Sequence, residues 1–292
     1  MAWQLCLNSV AAAAAILLVA VGFSLIYSVA KFYHFAHAIV FTAAAYGAYF
    51  CVHSLALPIG LSIVLGIGLG TGLGCLLELL VHRHLRKDNA SSPVMLLASL
   101  GVYIALQNLL SLAFGDDIKL LTHFESREGI PILSGTLAPV QCVTILCGTV
   151  LIFALVAFEQ LTPMGKVLRA LASDSELAEV VGVRKGRAFL VAFAIGSSLA
   201  ATGGVLLALD VGMTPTMGMN ALMAGIVAAV VGGIGRTAGV AAAAVLLGFA
   251  QNFGVWKIGS EWQQAITFLI LLVFLVLRPQ GILGRQHGKA GL

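Results

Sequence analysis

Charge is what this sequence has least of. Only 10% of its 292 residues are Asp, Glu, Lys or Arg, against roughly 25% in ordinary soluble domains. Long polar stretches are missing too, and 60% of positions are hydrophobic. A water-soluble chain of this length needs far more polar surface. Disordered, fibrous and disulfide-scaffold classes fall to the same arithmetic. Basic clusters interleaved with aromatics are absent, which argues against nucleic acid as a partner. The five cysteines (Cys6, Cys51, Cys75, Cys142 and Cys147) show no Cys-x-x-Cys spacing and sit in or beside apolar runs. Such thiols behave as small buried hydrophobes. The opening Met-Ala-Trp-Gln lacks the positive region of a cleavable signal peptide, so the first apolar run is expected to stay as a membrane span.

What is present is a series of apolar runs, and the mean hydropathy is +1.04. A helix needs about 20 apolar residues to cross about 30 Å of hydrocarbon. Runs near that length are Leu7–Val29, Ala38–Val52, Pro58–Val81, Pro93–Phe114, Pro139–Phe158, Ala188–Leu209 and Trp262–Leu277. Two shorter runs, Ala221–Ile234 and Ala238–Phe253, are split by Gly232-Gly233-Ile234-Gly235-Arg236. In lipid, backbone groups must be satisfied internally, so apolar runs of this kind read as helices. The expected fold class is an all-α, polytopic transmembrane helical bundle forming a single transmembrane domain over residues 1–292. The bundle has about eight or nine membrane segments, including the glycine-broken short pair.

Basic residues set the orientation. With the N-terminus outside and the short pair crossing twice or re-entering, Lys31, Arg83, Arg86, Lys87, Lys166, Arg169, Arg184, Lys185, Arg187, Arg236, Arg278, Arg285 and Lys289 are cytoplasmic. Only Lys119, Arg127 and Lys257 fall outside. A single crossing of Ala221–Phe253 would move the basic tail outside, against the rule. The outer loop Gly115–Ala138 carries Asp116, Asp117, Glu125 and Glu128 against Lys119 and Arg127.

The longest cytoplasmic segment, Glu159–Arg187, has helix signals of its own. Thr162-Pro163 reads as N-cap and first helical residue of a helix to about Ala172. Ser173-Asp174-Ser175-Glu176 fits a capping box opening a second short helix, stopped by Gly182. Leu177, Val180 and Val181 give it an apolar face. A loop built this way at a membrane surface is expected to dock onto something, the plainer alternative being a solvated connector.

Chemistry has few candidates. His-Glu-x-x-His, Gly-x-Ser-x-Gly, paired intramembrane carboxylates and the phosphate-cradling Gly-x4-Gly-Lys-[Ser/Thr] are all missing. No catalytic or metal site is expected, and ATP would have to be used by another subunit. Glu78 lies about one turn from the cytoplasmic end of its helix, where His82 or Arg83 can pair with it; a proton relay is the alternative. Gln107 and Asn108, like Gln251 and Asn252, suit interhelical hydrogen bonding or a solute path. Gly66, Gly70 and Gly74, with Gly68 and Gly72 as a second row, form a helix-packing face. Gly232, Gly233, Gly235 and Gly239 interrupt an apolar run instead. They mark either a broken helix lining a path or a cytoplasmic turn carrying Arg236.

Four stretches in order carry a resemblance. They are Phe35-Ala36-His37 with Gly47-Ala48-Tyr49; Gly165-Lys166-Val167-Leu168-Arg169-Ala170 with Ala178 and Gly182-Val183; Pro215-Thr216-Met217-Gly218 with Val231-Gly232-Gly233-Ile234-Gly235; and Leu277-Arg278-Pro279-Gln280-Gly281-Ile282-Leu283-Gly284. Together they resemble the permease subunits of bacterial branched-chain amino acid ABC transporters, nearly end to end. His34 stands where that family commonly has Asn, Ala38 where it has Gly, and Met223 about where many members carry Lys.

The resemblance implies a multi-pass protein of the bacterial inner membrane that is not itself an enzyme. It implies a second related permease, ABC ATPase subunits docked on the cytoplasmic loop, and a periplasmic substrate-binding protein. It implies no cofactor on this chain, ATP being used by the partners. Phe35, His37, Gln107, Asn108, Gly232, Gly233 and Gly235 become the expected solute path. Gly165, Arg169, Ala170, Asp174, Ala178 and Gly182 become the expected ATPase-coupling residues. The solute would be a branched-chain amino acid or a related small polar molecule. A urea or short-amide permease of the same family is the alternative, with a stand-alone secondary transporter or channel beyond it.

Overall fold

The computed structural model describes residues 2–121, 129–132, 135–278 and 280–283. Glu125, Arg127, Glu128, Pro279, Gly284, Arg285 and Lys289, used above, lie outside the described residues. Every expected apolar run is a helix. They are α1 (Ala2–Ala30), α2 (His37–His53), α3 (Ile59–Leu77), α5 (Ser92–Phe114), α6 (Pro139–Leu161), α9 (Lys185–Val211), α10 (Met217–Gly232), α11 (Thr237–Ile258) and α12 (Gln263–Leu277). A π-helical turn, Glu78–His82, joins α3 to α4 (Arg83–Lys87), making one continuous rod. Seven of these segments are long and apolar enough to cross a membrane. The other two, α2 and α10, have 17 and 16 residues. The chain is a multi-pass membrane protein.

Alanine and glycine decide which helices sit inside. α1 lies at the centre, packed on α9, α10 and α11, with α2 wedged between α3 and α9. Its inner stretch is buried from Leu18 through Ile26. By contrast α12 buries only Thr267, and α5 only Met95, Ser99 and Tyr103. Leu112, Phe153, Leu272 and Val276 point outward from the peripheral helices. That is the apolar face hydrocarbon requires, not a packing fault.

Close helix crossings run through glycine. A Cβ on Gly22 would stand 2.6 Å from the Gly196 carbonyl oxygen, and one on Gly196 would stand 2.7 Å from that of Gly22. The expected row Gly66, Gly70 and Gly74 packs against Ala44, Ala48, Ala201 and Ser197. Gly68 and Gly72 have no neighbour within 4 Å of where a Cβ would stand. Only one of the two rows is a packing face within this chain.

Sidedness is legible in the loops. A hairpin of β1 (Ile130–Ile132) and β2 (Gly135–Leu137) is bound by the N-terminus of α1. There Trp3 Nε1 donates to the Ile132 carbonyl (2.8 Å) and Gln4 Nε2 to that of Thr136 (2.7 Å). Lys119 exchanges two backbone hydrogen bonds with Met213. The base-poor segments therefore share one end of the bundle. At the other end Lys31 Nζ meets Ala172 and Arg236 meets Leu283, as the positive-inside placement requires.

Candidate functional site

Two helices break inside the bundle. α1 ends at Ala30, Lys31 takes a left-handed φ of 59°, and residues 32–36 run irregularly before α2 starts at His37. Likewise α9 ends at Val211, Gly212 has φ 84°, and residues 212–216 lead into α10. These two units enter from opposite faces, and their short helices meet. Gly218 N donates to Thr42 Oγ1 at 3.2 Å. Gly218 is seated so tightly on Ala38, and Gly204 on Phe41, that any Cβ would strike the facing backbone carbonyl. Irregular backbone at this depth is admissible because protein covers it. Ser99 does part of this work, receiving the Phe35 N–H at 3.1 Å and donating to the Tyr33 carbonyl.

Beside the second break lies a cavity of about 450 Å³ in the outer half, walled by α1, α2, α9, α10, α11 and α12. Its polar lining is Thr214, Asn220, Gln251, Gln263, Gln264 and Thr267; Phe41, Leu207, Met217 and Phe268 supply the apolar wall. Gln251 Nε2 donates to Thr267 Oγ1 (2.7 Å), Gln263 Nε2 to Gln251 Oε1 (3.3 Å), and Gln264 Nε2 to Asn220 Oδ1 (2.8 Å). These bonds fix which amide ends face the space. A second cavity of about 290 Å³ adjoins it across Ala12, Ala15, Leu207 and Val211, with Asn8, Gln141, Asp210 and Asn252 in its lining. Both sizes are near the range of roughly 300–1,000 Å³ common to small-molecule sites.

The expected path residues are not brought together. His37 is buried beside Gly22 and Phe23, and Phe35 packs at the first break. Gln107 and Asn108 sit on peripheral α5, where Asn108 Nδ2 donates to its own helix at Ile104. Gly232, Gly233 and Gly235 form the cytoplasmic turn between α10 and α11, with φ of 93° and 82° at the last two. That turn is the simpler of the two expected readings; the unwound segments lie at 31–36 and 212–216 instead. Gln251 and Asn252 do line the outer cavities.

Thr214, Asn220, Gln263, Gln264 and Thr267 were missed. Thr214 and Asn220 precede the run Ala221–Ile234 and so read as loop, while Gln263, Gln264 and Thr267 lie at the start of the run Trp262–Leu277 and read as part of a span. The available signal was the density of uncharged amides near the starts of the last spans.

Glu78 is 2% exposed and pairs with Arg86, eight residues on, rather than Arg83. Arg86 also stacks on Phe189 at 4.0 Å. His82 Nδ1 stands 4.0 Å from Glu78. Around it, His34 lies 4.8 Å from His82 and 6.0 Å from His37, ring centre to ring centre. Among the described residues no group of three His, Cys, Asp or Glu is placed to hold a metal ion.

The cytoplasmic segment folds as two short helices, α7 (Pro163–Ser173) and α8 (Ser175–Val180). Thr162 Oγ1 accepts from Gly165 N at 3.0 Å, the expected cap. For α8 the cap is Asp174 rather than Ser173; its Oδ1 accepts from Glu176 N and Leu177 N, both at 3.0 Å. Gly182, at φ 90°, ends the second helix. Gly165 fits against Phe158 and Glu159, and Leu168, Leu171 and Ala178 are buried. Arg169, Ala170, Asp174 and Gly182 are exposed. Leu177, Val180 and Val181 are 61%, 81% and 73% exposed, although they project from a capped, ordered helix on the basic face.

The sequence matches the family described as "Branched-chain amino acid transport system / permease component" over residues 5–275. The chain belongs to this permease family. The permease is 28% identical to the high-affinity branched-chain amino acid transport system permease protein LivH of Escherichia coli K12, covering 96% of this chain and 94% of that one. It is 29% identical to the corresponding protein BraD of Pseudomonas aeruginosa, covering 92% of each. Among solved structures it shares the fold of PsaBC from Streptococcus pneumoniae in complex with Fab (TM-score 0.54, 13% identity, 94% and 91% coverage). The permease is a membrane-spanning transport component.

Proposed function

We propose that the permease is the membrane-spanning part of an ATP-driven importer in the bacterial inner membrane, carrying branched-chain amino acids or closely related solutes. The carrying observation is the 450 Å³ chamber lined by amides and hydroxyls on one side and by Phe41, Leu207, Met217 and Phe268 on the other. Amides and hydroxyls both donate and accept, so they can meet an ammonium and a carboxylate together, while the apolar wall takes an aliphatic side chain. Urea or a short amide would leave that wall unused. The named relatives support the same solute class.

The rest of the assembly follows. A second, related permease completes the pathway, and a periplasmic binding protein delivers the solute. ATPase subunits bind the exposed apolar row of Leu177, Val180 and Val181 with neighbouring Arg169. This chain hydrolyses no ATP and holds no cofactor. In proteoliposomes with the complete assembly, Gln251→Leu removes the link between Thr267 and Gln263. Leucine uptake is expected to fall by about tenfold or more, the order of one lost hydrogen bond to a charged solute. Undiminished leucine uptake in that variant, or wild-type uptake of urea in preference to leucine, overturns the reading.

A further inference from the structure

The structure assigns to Lys31 the role of a strut that carries movement of the cytoplasmic helices α7 and α8 into the broken helices beside the outer chamber. This rests on the docking of ATPases at α7–α8 proposed above. Lys31 is the first residue of the break after α1, and its Nζ donates to the Ala172 carbonyl in the last turn of α7 at 2.7 Å. That geometry also places a cation at a helix C-terminus, where the helix dipole favours it. The Lys31 carbonyl accepts from Ser92 Oγ at the start of α5, so one residue ties three helix ends. Its left-handed backbone, φ 59°, stops α1 in the conformation common just past a helix end.

From Lys31 the connection runs without a gap. Residues 32–36 are gripped by Ser99 at Tyr33 and Phe35. α2 follows at once, and within its first two turns Ala38 and Thr42 clamp Gly218 of α10. Phe41, on that same stretch of α2, and Met217 and Asn220 of α10 face the 450 Å³ chamber. Packed interiors of this kind shift as bodies instead of deforming smoothly. A displacement of α7 pulls the lower end of α2, and the Ala38–Gly218 clamp passes it to the chamber wall.

The test needs no knowledge of the solute. In the full assembly, with the five native cysteines replaced by serine, Asn220→Cys reports the chamber through its maleimide labelling rate. The rate is measured without nucleotide and after trapping with ATP and vanadate. Trapping is expected to change the rate about tenfold, within the usual span of coupling between sites. Lys31→Met, which keeps the stem and loses the donor, should abolish the change while the ATPase still co-purifies and hydrolyses ATP. Lys31→Arg should restore it. An equal change in Lys31→Met, or none in the parent assembly, overturns the strut. Loss of the ATPase from Lys31→Met alone would make Lys31 a docking residue and overturn it too. Absence of the ATPase from the parent assembly would instead remove the docking reading on which it rests.

Discussion

Single glycines separate what this chain can and cannot tolerate. Gly204 and Gly72 look alike in the sequence, both in apolar helices, yet a Cβ at the first strikes the Phe41 carbonyl and a Cβ at the second meets nothing within 4 Å. Gly204→Ala is therefore expected to destabilise the folded protein by about 1–3 kcal/mol or more, the scale of overpacking, and Gly72→Ala to leave it unchanged. Thermal unfolding of both variants in detergent, followed by size exclusion, distinguishes them; equal melting would show that the interior shifts aside. Of the two expected partners of Glu78, His82 stands 4.0 Å away, while Arg86 takes the place expected of Arg83. The π-turn at Glu78–His82 changes the helical phase, so the partner falls at Arg86 and not beside Arg83. Breaking a buried ion pair costs about 3–5 kcal/mol. Glu78→Ala should lower the folded yield accordingly, with Arg83→Ala much milder.

At the scale of elements, the cytoplasmic helices were the most readable part of the site and the chamber the least. Thr162-Pro163 and Gly182 act locally, through caps and a left-handed stop, so their chemistry shows in the sequence. The chamber is assembled from six helices, and no short stretch announces that Asn220 will face Gln264 across 44 positions. The expected path residues lie away from this chamber for the same reason. Gln107 and Asn108 have the right chemistry on a helix that lies at the rim. Asp174→Ala should loosen α8 by about 1 kcal/mol and speed amide exchange at Glu176 and Leu177 without altering the membrane helices. Leu177→Pro goes further: it should abolish uptake while the protein still inserts, and normal uptake in that variant would remove α8 from energy coupling.

For the whole molecule, the bundle was legible because each span is apolar over nearly its full length. All nine runs became helices, with ends moved by only a few residues. Orientation came from the same source, since Lys31, Arg86, Lys166, Arg169 and Arg236 gather at one end. What the runs could not convey was that α2 and α10 begin inside the bundle, because a break in a helix and a loop between helices look the same in composition. The topology makes a direct prediction. In intact cells, a cysteine at Ser54 should react with an impermeant maleimide and one at Ser91 should not; the reverse result would invert the molecule.

Among the described residues, no ionisable side chain lines the 450 Å³ chamber. One elementary charge crossing the membrane field exchanges about 2.3 kcal/mol per 100 mV; a zwitterion moving through such a lining exchanges none. Its stay in this chamber is electrically silent. Neither membrane potential nor the pH on either side gives the chamber a handle on direction, and a cell whose membrane is depolarised keeps this uptake route for as long as it has ATP.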